Sequence, residues 1–289
     1  MTASPALADL SRSFAAVVRD VAPSLVAVRS HRSRHSGFFW RPGLVVTADE
    51  PLAEDGEIVV ELHGGERRPA ALVGRDPTTD VALLRVEGGE GAAAAFADDH
   101  AEAGALALAV GAGPVAQMGM IAVAGPAWRS LRGGEIDARI ELDLQLRRES
   151  EGGLALAADG RALGMAVIGP RRRTLVIPAV TIARVADQLE RHGRVQRGYI
   201  GLALQPVRVD GDEGPAAMVM GVDRDGPAAA AGVQQGDVVV GWDGEPPARL
   251  ERLIRSLGAT SIGRSLALTL RRGAETVETT LTVAERPER

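Results

Sequence analysis

Apolar residues recur along this chain in two rhythms. Near the start, Phe14, Val17, Val18 and Val21 fall at helical spacing after Ser11, a residue suited to cap a helix, and Pro23 ends the pattern. A short amphipathic helix leading into a strand over residues 24–28 is predicted. The rhythm then changes to short apolar runs bounded by turn residues, at 43–47, 57–62, 70–73, 81–86 and 105–110, with Gly64-Gly65 and Gly88-Gly89 as hairpin turns. It continues through 136–144, 154–157, 162–168 and 175–177, broken by a tight turn at Ala158-Asp159-Gly160. Many short strands at regular spacing predict an antiparallel barrel or sandwich. Helical spacing returns at Ile182, Val185, Ala186 and Leu189, and His192-Gly193 is the expected C-cap.

Composition narrows this picture. The 289 residues suffice for one large domain and a smaller one, each with its own core. Apolar residues make up 45% of the chain but aromatics only 3%, so the cores are expected to be aliphatic. The net charge of -5, with acids and arginines interspersed, provides no basic stripe for phosphates and excludes nucleic acid as a partner. Lysine and asparagine are absent, which reads as codon bias. Without cysteine there is no disulfide, thiol nucleophile or thiolate metal site. No apolar run of signal-peptide or membrane-spanning length occurs in residues 1–30, where Asp9, Arg12, Arg19 and Asp20 intervene. The chain as written is therefore expected in the cytoplasm, and a start site further upstream would make it periplasmic or membrane-tethered.

Three motifs then carry a resemblance. Val21-Ala22-Pro23-Ser24-Leu25-Val26, Val73-Gly74-Arg75-Asp76-Pro77-Thr78-Thr79-Asp80-Val81-Ala82-Leu83-Leu84, and the helix ending at His192-Gly193 before Gly198-Tyr199-Ile200-Gly201 are together similar to the HtrA/Deg serine proteases. The resemblance implies a mainly β fold, a trypsin-like double antiparallel β-barrel followed by a small α+β PDZ domain. It divides the chain into an N-terminal helix and opening segment (1–23), a protease-homology domain (24–193), a linker (194–197) and a PDZ domain (198–285).

The chemistry of that family needs a hydroxyl nucleophile, a base beside it and backbone donors for the oxyanion. Where the resemblance places the histidine of Thr-Asn-Asn-His-Val-Val, this chain has Glu50 within Thr47-Ala48-Asp49-Glu50-Pro51-Leu52. Where it places Gly-Asn-Ser-Gly-Gly-Pro, the chain has Glu149-Ser150-Glu151-Gly152-Gly153-Leu154, so Glu151 stands for the serine and Glu149 for an oxyanion-hole glycine. Asp80 keeps the orienting aspartate. Ser150 is a displaced hydroxyl without a base, and His31, His35, His63, His100 and His192 all read as surface histidines. Glu50, Asp80 and Glu151 should converge and repel. Arg147 or Arg148 is the expected counter-ion, with splayed or proton-sharing acids and a bound divalent cation as the other outcomes. No cofactor and no metal are expected.

In the second domain, Gly226-Pro227-Ala228-Ala229-Ala230-Ala231-Gly232-Val233-Gln234-Gln235-Gly236-Asp237 resembles the most recognisable PDZ stretch. Tyr199, Ile200, Gly201 and Leu202 look like the loop whose amides capture a peptide carboxylate, and Leu250, Leu253, Ile254 and Leu257 lie on one face of an expected helix across the groove. The sequence alone therefore reads as an inactive protease homologue, not an enzyme, that binds peptide C-termini or unfolded segments. Two alternatives stand beside it: an endopeptidase with residual or non-standard activity, using Ser150 or the acidic cluster, and a structural subunit in a homo-trimer or mixed oligomer.

Overall fold

The computed structural model describes residues 5–31, 33–89, 91–97, 101–113, 115–208, 215–247, 253–254 and 257–287. The chain divides into two compact units, Met1–Val195 and Gln196–Arg289.

The first unit opens with helix α1 (Pro5–Val21), which begins well before Ser11. Six strands follow: β1 (Leu25–Ser30), β2 (Ser33–Arg41), β3 (Leu44–Thr47), β4 (Ile58–Glu61), β5 (Arg67–Asp76) and β6 (Val81–Val86). They close into an antiparallel barrel in the order β1-β2-β3-β6-β5-β4. A second closed barrel, ordered β11-β14-β13-β12-β7-β8, is built from β7 (Leu106–Gly111), β8 (Val115–Gly125), β11 (Arg139–Leu142), β12 (Leu154–Ala157), β13 (Ala162–Ile168) and β14 (Thr174–Pro178). The two-residue strands β9 (Trp128–Arg129) and β10 (Glu135–Ile136) pair beside them.

Unbroken apolar runs form these strands because both faces are covered. Successive side chains point to opposite sides of a strand, and here each side meets a different core. Phe39, Val45 and Leu84 fill the first barrel, while their neighbours Phe38, Val46 and Leu83 join a second cluster with Leu108, Val110, Leu154 and Met165. Helix α2 (Ala179–His192) adds Ile182, Val185, Ala186 and Leu189 to that cluster, and Phe14, Val17, Val18 and Val21 of α1 pack against it. The interior of the second barrel is mostly small and aliphatic, with Ala107, Ala109, Ala155 and Ala166 among Ile121, Ile140 and Val176. α2 ends where expected: Gly193 takes φ 71 and its amide donates to the Leu189 carbonyl at 2.9 Å.

The second unit is a five-stranded antiparallel sheet ordered β16-β17-β18-β19-β20, from β16 (Leu202–Arg208), β17 (Pro215–Val222), β18 (Val238–Trp242), β19 (Ser265–Arg272) and β20 (Glu275–Thr282). β15 (Gly198–Tyr199) pairs with β21 (Ala284–Glu285), and the single-turn helix α3 (Pro227–Ala230) precedes β18. The core holds Val219, Val239, Trp242, Leu268 and Leu270. Buried Asp237 receives both Nε and Nη2 of Arg272 at 2.8 Å, and that pairing holds its carboxyl below the usual range. β16 is an edge strand.

Candidate active site

The residues singled out in the protease-homology domain come together. A cleft of about 1260 Å3 is lined by His35, Asp49, Glu50, Glu149 and Glu151, with Arg34, Arg75, Arg132, Arg148 and Arg172 interspersed. The loop after β3 is pinned from both sides. Arg75 of β5 donates through Nε to the carboxylate of buried Asp49, and through Nη2 to the carbonyls of Asp49 at 3.2 Å and Leu52 at 3.3 Å. On the other side the Glu50 amide donates to Asp80 Oδ1 at 2.8 Å, and the Asp49 amide to the Asp80 carbonyl at 3.3 Å.

Glu151 is buried, and its Oε1 accepts the Ile168 amide at 3.2 Å. The loop that carries it is stitched to β2: the Ser36 amide donates to the Glu151 carbonyl at 2.8 Å, and Ser36 Oγ donates to the Glu149 carbonyl while accepting the Ala112 amide at 2.9 Å. Gly152 has φ 81, and a Cβ there would stand 2.3 Å from the Ser36 carbonyl oxygen, so this turn admits only glycine.

Electrostatics follow from this crowding. Burial, reinforced by the charges of Glu151, Asp49 and Glu50, pushes the Asp80 carboxyl up to about 7 against the amide hydrogen bond that opposes it. Burial and then Glu50 also raise Glu151, and Arg148 lowers it in part. Of the two expected counter-ions Arg148 acts on Glu151, while Glu50 is met by Arg132, whose Nη2 lies 3.8 Å from Glu50 Oε2. Arg132 sits in the turn joining β9 and β10, a neighbour that no local motif announces. Among the described residues, no group of three or more acids and histidines is arranged to hold a metal ion.

Three further features bear on chemistry. Residues Arg148–Ser150 form one 3-10 turn in which the Glu151 amide donates to the Arg148 carbonyl at 3.2 Å. Ser150 is fully buried, its Oγ makes no hydrogen bond, and it is not among the residues lining the cleft. His35 is not a surface histidine: it is 2% exposed, lines the cleft, and neither ring nitrogen has a partner. His31, His63 and His192 are exposed, and His100 lies outside the described residues.

In the second unit, the Ala228 amide donates to the Ile200 carbonyl at 3.0 Å and the Asp223 amide to that of Gly201 at 2.9 Å, which fixes the loop ahead of β16. Tyr199 donates its hydroxyl to Asp223 at 2.5 Å. Ile200 is in the core, Leu202, Leu253 and Leu257 pack against it, and Ile254 is exposed. Leu250 lies outside the described residues.

This fold, two six-stranded barrels with a cleft between the β3 and β11–β12 connections, joined to a five-stranded sheet unit, defines a trypsin-like peptidase domain followed by a PDZ domain. The trypsin-like peptidase domain family matches residues 35–165 and the PDZ domain family residues 198–283. The chain is homologous to the DegP/HtrA serine endoproteases. It is 31% identical over 264 residues to a probable periplasmic serine endoprotease DegP-like of Brucella suis, covering 85% of this chain and 51% of that protein. It is 27% identical to the corresponding protein of Chlamydia pneumoniae, covering 88% and 56%. The chain thus spans about half the length of the curated relatives it matches. Among solved structures, HtrA-type protease AlgW with a tripeptide superposes with a TM-score of 0.76 at 26% identity, covering 96% of this chain and 98% of that one. The serine endoprotease from Yersinia pestis superposes at 0.79 with 24% identity over 95% and 98%, a likeness of fold.

Two expectations are corrected by these relatives. The chain was expected not to be an enzyme, yet the proteins it matches are named serine endoproteases. Glu50 and Glu151 stand where the resemblance places the histidine and the serine, and burial raises the proton affinity of Asp80 and Glu151. The cytoplasmic expectation also lacks support, since the relatives are named periplasmic. No helix among the described residues is long and apolar enough to cross a membrane.

Proposed function

We propose that this chain is a peptidase of non-standard type, whose cleft hydrolyses peptide bonds through carboxylates and whose PDZ unit holds C-termini or unfolded segments of its substrates. One observation carries the reading: burial, reinforced by Glu151, Asp49 and Glu50, pushes the Asp80 carboxyl up to about 7, and burial with the charge of Glu50 raises Glu151. A carboxylate that accepts a proton beside a carboxylic acid that donates one is the pairing acid–base hydrolysis requires. Glu50, on the cleft wall, removes a proton from water as the water oxygen bonds to the carbonyl carbon. Glu151 in its acid form delivers its proton to the amide nitrogen as the C–N bond breaks, and the proton on Glu50 then restores Glu151. One water is added, and a carboxylic acid and an amine leave. Arg148 supplies positive charge to the developing oxyanion. Asp80 holds the main chain of Glu50 in place.

Edge strand β16 and the loop at Ile200-Gly201 support peptide binding by the second unit. AlgW structures with a tripeptide and a decapeptide add support from the same architecture. We place the chain in the periplasm on the names of its relatives.

The purified chain incubated with denatured casein from about pH 4 to 8 tests the reading. Cleavage is expected to be strongest in the acid part of that range, to fall as Glu151 ionises, and to resist fluorophosphonate. Absence of cleavage across that range, or its loss with labelling of a serine, sinks the proposal.

A further inference from the structure

His35 has the environment of a ligand-binding group that the hydrolytic scheme does not use. On β2 it pairs in register with Val28 of β1, and it shares a face with Phe39 of the first barrel's core. It lines the cleft together with Ser33 and Arg34 of the same strand. Its neighbour Ser36 is hydrogen-bonded through its amide to the Glu151 carbonyl at 2.8 Å, so the imidazole stands one residue along the strand from the loop bearing the cleft acid.

The ring is almost wholly buried, yet Nδ1 and Nε2 both lack partners. Each buried polar atom left unmet costs about 1–3 kcal/mol, so native structures rarely leave such atoms without a partner. Burial lowers the ring's pKa to about 4, which keeps it neutral under physiological conditions. A neutral imidazole offers one N–H and one lone pair. A carboxylate would use only the first. The main chain of an extended peptide, with alternating carbonyls and amides, can meet either one as the ring turns toward the cleft it lines.

We propose that His35 is a substrate-binding residue, hydrogen-bonding the main chain of the peptide that lies in the cleft beside Glu151. The identity of the ligand rests on the peptidase reading; the existence of a binding post at His35 does not depend on cleavage.

The test uses the full chain, labelled with 15N in its histidines, and oxidised insulin B chain amidated at its C-terminus, which gives the PDZ loop no carboxylate to hold. Ring-nitrogen resonances of His35 are expected to shift saturably on peptide addition, even if no cleavage occurs. His35→Phe is expected to weaken binding roughly fivefold to tenfold, the loss of one or two neutral hydrogen bonds, and His35→Gln to recover part of it. Unmoved His35 resonances at saturating peptide, or a folded His35→Phe variant that binds as tightly as the wild type, would overturn the inference. If His35→Phe does not fold, the spectra of the unaltered chain decide alone.

Discussion

Glu151→Gln is expected to lower casein cleavage by at least about a hundredfold, the scale of a lost general acid. The amide keeps an oxygen where Glu151 Oε1 accepts the Ile168 amide, and it keeps the volume of a buried side chain. What it removes is the proton. A thermal melt alongside the assay separates the two roles, because the charge that burial and Glu50 disfavour is also removed. The rate should therefore collapse without a lower melting temperature. A variant that cleaves at the wild-type rate would exclude Glu151 as the acid.

Asp80→Asn is expected to stabilise the protein above pH 7 and to change little near pH 4. In the unfolded chain this carboxyl ionises near 3.8, in the folded chain near 7. Between those values the folded state holds a proton that the unfolded state has released, so stability falls as pH rises through the window and the loss is complete above it. Asparagine carries no charge at any of these pH values and retains an oxygen for the Glu50 amide. With allowance for solvent screening of a half-buried group, the gain at pH 8 should be on the order of 1–3 kcal/mol, or roughly 3–8 °C in Tm for a domain of this size. Melting curves of both proteins at pH 4 and 8 measure it, and equal shifts at the two pH values would count against the assigned cause.

Much of this was written in local pattern, and the remainder depends on packing. β6 and β12 match their apolar runs residue for residue, because both faces are buried and turns bound each end. β2 presents no apolar run because its first half, Ser33-Arg34-His35-Ser36, is polar, and the first three of these residues line the cleft. β8 escaped for the opposite reason: Met118 and Met120 lie exposed on its outer face, which leaves no clean alternation of buried apolar residues. The expected strand over 136–144 resolves into the last residue of β10 and the whole of β11.

At the site, the convergence of Glu50, Asp80 and Glu151 followed from motif resemblance. Arg132 as counter-ion to Glu50 and the orphaned imidazole of His35 did not. The first joins groups far apart in the chain, and the second depends on what packs around the ring. Neither leaves a mark in neighbouring residues.

Burial, reinforced by neighbouring carboxylates, keeps protons in this cleft near neutral pH. Titration of 13C-labelled Asp and Glu side-chain carboxyls by NMR tests it most directly. The account predicts a midpoint near 7 for Asp80 and one above the ordinary range for Glu151, each lowered when Glu50 is changed to Gln. Midpoints for both groups in the ordinary carboxylate range, roughly 3.5–4.5, would contradict it.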